Sequence, residues 1–548
     1  MEKPRRTLGA DIHGHGTAPR RRRAPSRTYG TGDLAGAPAE ARAAPAGRWL
    51  ALAVLCVPLL IISLDNTVLN VALPTLVRKL NATDSELQWI VDAYVLVFGG
   101  LMLVSGSLAD RVGRKRTFIA GLAVFAVCSL WAAFSGSAAM LIAARASMGL
   151  GATLIMPATL SIITNTFTDR GERQRALGIW AGTTGAGVAL GPIVGGLLLA
   201  HFSWGSVFLI NVPIALLGVA LAIPLVPNSL DPHAQRPDPV GSLLSIAGIG
   251  LLLWAIIEAA VHGWTSPLVV GAGAGGLVVL ATFVAWEARS SHPMLKVRFF
   301  RQRSFSAAIA CNGMVMFGLM GALFAMTQFL QFQLGYSALQ AGVRMLPAAG
   351  GIAVIAPLSP VLVRRLSTKL TVALGLLVVA GGLWQISGAS VTTTYTGQLA
   401  GSIMLGVGAG LTFPACVGSV MGTLPREHLG VGSATNGTFV QVGGALGVAI
   451  VGSALSARYQ HRMTDALARQ HVAHAIHETI LGSLGAALGV AERVGGVAGA
   501  LLSEAARSAF MSGMDLGLEV AAGVALAGVL AALLALPFRA TPAEDSST

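Results

Sequence analysis

Long apolar stretches recur along the chain from Trp49 to Phe538, separated by shorter polar connections. A helix needs about 20 mostly apolar residues to cross the hydrocarbon of a bilayer. Stretches of that kind fall near 49–77, 88–109, 118–137, 139–163, 176–200, 206–227, 241–262, 267–286, 305–334, 339–363, 370–390, 396–422, 436–456 and 515–538. The pattern predicts about fourteen crossing helices. Backbone amides have no water to bond in lipid, so the spans are read as helices; barrel strands would be shorter and would alternate. Glycine and proline recur inside many spans, as helices in a bundle tolerate.

Composition agrees with that reading. Mean hydropathy is +0.70, with 54% hydrophobic and 11% charged residues, against about 25% charged in a soluble domain. The net charge of +13 does not point to nucleic acid, because the basic residues sit in the N-terminal stretch and in alternate connections. Arg111, Arg114, Lys115 and Arg116 follow the second span; Arg170, Arg173 and Arg175 follow the fourth; Arg236 the sixth. Arg289, Lys296, Arg298, Arg301 and Arg303 follow the eighth; Arg364, Arg365 and Lys369 the tenth; Arg426 the twelfth. Among the odd connections, the first holds Arg78 and Lys79, and the others carry almost no basic residues until the long one at 457–514. This alternation predicts cytoplasmic termini and an external 457–514 segment. That segment is interrupted by Glu492 and Arg493, so the expectation is an external hairpin over the exit and no fifteenth span.

The expected organisation is a basic, disordered cytoplasmic tail over 1–47 and a six-helix half over 48–228. Two inserted helices with a cytoplasmic linker follow over 229–304, then a second six-helix half over 305–538, and a cytoplasmic tail over 539–548. Ser359 to Arg365 sits where a second copy of Gly106 to Val112 would fall, a weak internal repeat with Val363 in place of Asp110. Transporters are commonly built from such repeats, with the substrate between them. Cys56, Cys128, Cys311 and Cys416 lie far apart inside apolar runs and read as packing residues. His471, His474 and His477 lack Cys or acidic partners at ligand spacing, so no metal site is expected. No G-x-x-x-x-G-K-[ST] loop is present, and no constellation suggests an enzyme or a cofactor.

Residues 106–116 read Gly-Ser-Leu-Ala-Asp-Arg-Val-Gly-Arg-Lys-Arg. This resembles the signature of the major facilitator superfamily. Leu64 to Pro74 (LDNTVLNVALP) resembles the first-helix motif of its fourteen-helix drug:proton antiporter family, the EmrB/QacA type. Gly187 to Gly196 (GVALGPIVGG) resembles the antiporter motif, with Gly187, Gly191, Pro192, Gly195 and Gly196 in place. Phe208 to Ile214 and Gly335 to Gly342 are similar to the family's sixth-helix opening and to its sequence between spans nine and ten. Two departures stand out: Met148 replaces a glutamine in the fourth-helix motif, and Val440 stands where relatives often carry arginine. Acidic residues of later helices in some cation exporters are absent, which argues against a strictly dicationic substrate.

The resemblance implies an all-α, multi-pass major facilitator fold with two six-helix halves and two inserted helices. It implies a monomeric, proton-driven exporter of hydrophobic drugs or antibiotics in the cytoplasmic membrane. A dedicated exporter of a self-made metabolite and a non-transporting sensor are the alternatives. A charge near the bilayer centre costs at least ~2.5 kcal/mol, so one found there is usually functional or paired. Asp65 is the expected proton carrier, the alternative being a structural acid bonded to a neighbouring helix. Arg145 is expected to tune it, the alternative being a structural arginine. Asp92 either lines the exit or rests at the interface. Gly106, Asp110, Arg111, Gly113 and Arg114 are implied to form a conformational latch, with Asp110 against a helix N-terminus near Gly430 to Ala434. Met314, Met316, Met320 and Met326, with Phe317 and Phe324, form either an adaptable drug-binding wall or ordinary packing.

Overall fold

The computed structural model describes residues 47–230, 238–290, 293–424, 429–468 and 474–538. The expected tails over 1–46 and 539–548, Arg236, Arg426 and His471 lie outside the described residues. Every regular element among the described residues is helical. The first half holds α1 (Arg48–Leu80), α2 (Asp84–Val112), α3 (Arg114–Ala133), α4 (Ala138–Thr166) and α5 (Arg170–His201). Its last span is made of α6 (Ser206–Leu209) and α7 (Asn211–Leu225). The inserted pair is α8 (Pro239–His262) and α9 (Pro267–Arg289). The second half holds α10 (Arg303–Gln328), which runs into a π turn at Phe329–Gln333, and a broken span of α11 (Ala338–Arg344), α12 (Leu346–Ile355) and α13 (Ser359–Arg365). α14 (Thr368–Ser387), α15 (Tyr395–Gly422), α16 (Leu429–Leu467), α17 (His474–Gly482), α18 (Leu484–Val494) and α19 (Gly496–Ala535) complete it. Among the described residues, thirteen helices or joined helices are long and apolar enough to cross a bilayer, and the bent α2 makes fourteen.

Local chemistry sets the turns. Asn81 ends α1 in the left-handed region, at φ 52°. Thr83 and Glu86 then form a capping box, each side chain bonded to the other's backbone N–H at 3.2 and 2.9 Å. Gly113 separates α2 from α3 at φ 115°, a value a β-carbon would strain.

The two ends of the bundle differ. At the Asn81 end the halves touch. Gln331 Nε2 donates to the Val71 carbonyl at 2.8 Å. A Cβ on Gly196 would lie 2.5 Å from Leu339 Cα, so α5 meets α11 backbone to backbone. Down α2, Gln88 lies against Gly452 of α16, Gly99 against Gln441, and Met102 against Gly437. α2 then bends by 58° between Met102 and Val104. Gly178, Gly182 and Gly185 of α5 and Gly350 of α12 have nothing within 4 Å of an added Cβ. The halves are thus in direct contact at the Asn81 end.

The 457–514 segment differs from its sequence reading. α16 continues to Leu467 and α19 begins at Gly496, so both helices extend well past the expected span ends. The polar residues on these extensions are placed beyond the apolar core, which a helix tolerates and a span does not. The short α17 and α18 form a cap between them. Tyr459 Oη donates to the Ile480 carbonyl at 2.9 Å. Gly485 packs on both Phe332 and Val77, one from each half. Arg507 Nη1 donates to the Phe332 and Gln333 carbonyls at 2.7 Å. The Arg78 guanidinium lies 5.8 Å over the Phe332 ring.

Candidate functional site

Helical spacing brings Asp65 of α1 and Arg145 of α4 together in the first half. They form an ion pair through Asp65 Oδ2 and Arg145 Nη1, with side chains 2% and 1% exposed. Arg145 Nε donates to the Ile90 carbonyl at 3.1 Å, and its guanidinium lies 4.2 Å over the Tyr94 ring. Asn211 Nδ2 donates to Asp65 Oδ1 and to Ser129 Oγ, each at 3.3 Å. Five helices (α1, α2, α3, α4 and α7) thus contribute to one buried polar cluster, in which Arg145 and Asn211 bond the Asp65 carboxylate directly. Such a pair needs these partners: a buried ion pair recovers its desolvation only when its remaining donors and acceptors are bonded.

Asp92 is placed elsewhere. It is 0% exposed, and neither carboxylate oxygen has a hydrogen-bond partner. On α2 it falls between Gly99, which faces α16, and Ser85 and Leu96, which face α8 through Glu258 and Gly250. Gln88 Nε2 and Asp84 Oδ1, one and two turns toward the Asn81 end, are also buried without partners. The Gln88 carbonyl oxygen accepts from Ser453 Oγ of α16 at 3.3 Å. A file of buried polar groups therefore runs along the seam between the halves.

α5 carries two stripes. Gly187, Gly191 and Gly195 lie against Ser63, Thr67 and Val68 of α1, and Pro192 and Gly196 lie against Gly342 and Leu339 of α11. Across the α2–α3 junction, Asp110 Oδ1 accepts from Arg114 Nε at 2.7 Å, and Arg114 reaches the Ser161 carbonyl. Arg111 is exposed, and Gly106 has Pro157 of its own half as its neighbour. These latch candidates are gathered within the first half. The methionines do not share one wall. Met316 and Met320 pack on Gly444, Met314 on Gly528, and Met326 lines a small cavity of about 30 Å³ with Leu323, Arg344 and Tyr395.

Sequence reasoning missed three supporting groups. Asn211 sat inside a quoted motif without a role, and a lone polar residue in an apolar run was the available signal. Ser129 and Tyr94 carried no comparable signal, because their meeting with Asp65 and Arg145 depends on how α2 and α3 pack on α4.

A two-half helical bundle with a buried ion pair inside one half is the architecture of a membrane transporter. The family model described as Major Facilitator Superfamily matches residues 55–448, and the chain belongs to that family. It is 37% identical over 509 residues to the multidrug efflux pump LfrA of Mycolicibacterium smegmatis, covering 92% of this chain and 99% of that one. It is 31% identical to the tetracenomycin C resistance and export protein of Streptomyces glaucescens, covering 88% and 91%. It is 34% identical to the methyl viologen resistance protein SmvA of Salmonella typhimurium, covering 87% and 96%. In fold it resembles a bacterial homologue of the human lysosomal transporter Spinster, solved inward-facing and unoccupied, with a TM-score of 0.62, 16% identity, and coverage of 89% and 98%.

Proposed function

We propose that this protein is a proton-driven exporter of apolar drugs or antibiotics across the cytoplasmic membrane. The observation that carries the reading is the Asp65–Arg145 ion pair, buried inside the first half and bonded also by Asn211. The names of the relatives support drugs and antibiotics as the cargo. The basic connections support cytoplasmic placement of the Gly113 end.

A proton arriving at Asp65 neutralises it and removes the charge on which Arg145 leans. Arg145 keeps the Ile90 carbonyl and the Tyr94 face, while α1 loses its tie to α4. α1 is then held by the glycine stripe of α5, a surface with no side chains to unlock. Release of the proton on the cytoplasmic side restores the pair. The cycle therefore exchanges one charge state for another as the halves rock.

The test uses proteoliposomes with an imposed pH gradient. Asp65→Asn abolishes gradient-driven dye efflux while the protein still inserts and folds. Undiminished proton-coupled efflux by that variant would falsify the assignment. A protonophore added to the unaltered protein gives the same loss; persistence of uphill efflux there would remove proton drive altogether.

A further inference from the structure

The connection between α9 and α10 builds a cationic groove that the transport reading does not use. Leu295 to Gln302 folds back beside the end of α9, with a 3₁₀ turn at Val297–Arg301. Together they enclose a cavity of about 970 Å³ whose lining includes Lys296, Arg298, Arg301 and Gln302. That is far more than the ~30 Å³ a single water occupies. Arg298 and Arg301 are exposed, and Lys296 Nζ lies 5.9 Å from the Phe299 ring centre.

Two acids lie close by, and both are buried. Glu287 is 2% exposed, and its Oε2 accepts the Leu295 N–H at 3.0 Å. Asp238 accepts from the Gly241 N–H at 2.9 Å and from Trp286 Nε1 at 2.7 Å. The accessible charge of the groove is therefore positive. A second cleft of about 290 Å³ adjoins it at Ser290 and runs up α9 past Arg289, Trp286, Ala285 and Thr282. Above it, the outer face of α9 exposes Leu277, Val278 and Val284. A tryptophan at the junction of a basic pocket and an apolar face is the arrangement found at the edge of a bilayer.

We propose that this groove binds the phosphate of an anionic phospholipid, with an acyl chain along the outer face of α9. Free phosphate shares the headgroup chemistry, but the adjoining apolar cleft favours the lipid. Basic pockets beside membrane helices recognise anionic headgroups through the same charge complementarity.

The experiment places the purified protein in nanodiscs of phosphatidylglycerol and phosphatidylcholine in equal amounts. Native mass spectrometry then counts the lipid retained on release. Phosphatidylglycerol is retained in preference, and the double variant Arg298→Gln/Arg301→Gln loses it by at least about tenfold. The double variant Arg364→Gln/Arg365→Gln, which removes two exposed arginines at the same end of the bundle, retains it. Equal loss in both double variants would reduce the effect to general surface charge and overturn the site. Absence of any preference in the unaltered protein would do the same. Displacement of the lipid by inorganic phosphate at tens of millimolar would assign the groove to free phosphate instead. The readout is binding, so it stands apart from transport.

Discussion

Asp65 and Asp92 are both buried carboxylates in the first half, and their surroundings are opposite. Asp65 has a guanidinium and an amide N–H; Asp92 has no hydrogen-bond partner and sits among apolar side chains at the α2, α8 and α16 junction. The difference gives opposite outcomes on replacement. Removing one member of a buried pair strands the other, at a cost of roughly 3–5 kcal/mol. Arg145→Leu should therefore lower the unfolding midpoint sharply, measured by thermal melting in detergent. Asp92→Leu removes a polar group that has no bond to lose, and unsatisfied buried groups cost about 1–3 kcal/mol. It should raise the midpoint and depress efflux at the same time. A lowered midpoint would show that Asp92 has partners in the folded protein, and a raised midpoint with full efflux would make it dispensable. Sequence depth alone singled out Asp65, Asp92 and Arg145, because a charge within a span is conspicuous. It could not separate their environments, which depend on a side chain 146 residues away for Asp65 and on α16, still farther along the chain, for Asp92.

Among the helices, α5 shows how one motif serves two contacts. The stripe facing α1 lies within one half, and the stripe facing α11 joins the halves. Gly191→Val would drive a side chain into Thr67 and should destabilise the protein by about 1–3 kcal/mol whichever end is open. Gly196→Val would instead push Leu339 away and should leave the first half intact. Spin labels on the exposed Lys79 and Thr392 should then report a larger population of long distances at the Asn81 end. An unchanged distance distribution would count against α5–α11 contact as the closing surface. The glycines were legible as a small-residue face, but which helix each faced was not. The ends of α16 and α19 were misread for a related reason. Hydropathy marks where a helix leaves lipid, not where it stops, and hydrogen bonds carry both helices onward into the cap.

For the whole molecule, the proposed orientation and cargo each carry a test. With the Asn81 end outward, a cysteine at the exposed Arg493 of α18 should be labelled by an impermeant maleimide in intact cells. Labelling only after permeabilisation would invert the assignment of both ends. The second half offers amides where an exporter of dications would offer acids: Asn312 Nδ2 donates to Asn436 Oδ1 at 2.7 Å, and Gln328 and Gln441 each keep an unbonded Nε2. Neutral or singly cationic dyes should therefore be exported at least about tenfold faster than methyl viologen, in paired efflux assays. The span count was readable from the length of the apolar stretches and the alternation of charge, and the two-half plan from a weak internal repeat and the family resemblance. The state of the bundle was not, because closure at one end is a relation between elements distant in sequence.

The backbone-to-backbone meeting of α5 and α11 also bears on how such a protein can change under selection. A contact made by side chains can be retuned in many small steps, since each new rotamer or methyl group shifts the fit a little. A contact made by main chain offers no such gradation: Gly196 either admits Leu339 or is blocked. Drug pressure in serial passage should therefore leave Gly196 and Gly342 untouched. Adaptive changes should collect on surfaces with room, such as the α12 face around Gly350 and the α5 stretch from Gly178 to Gly185. Sequencing of passaged populations would read this directly, as silent sites at the closure and a crowd of replacements along the open faces.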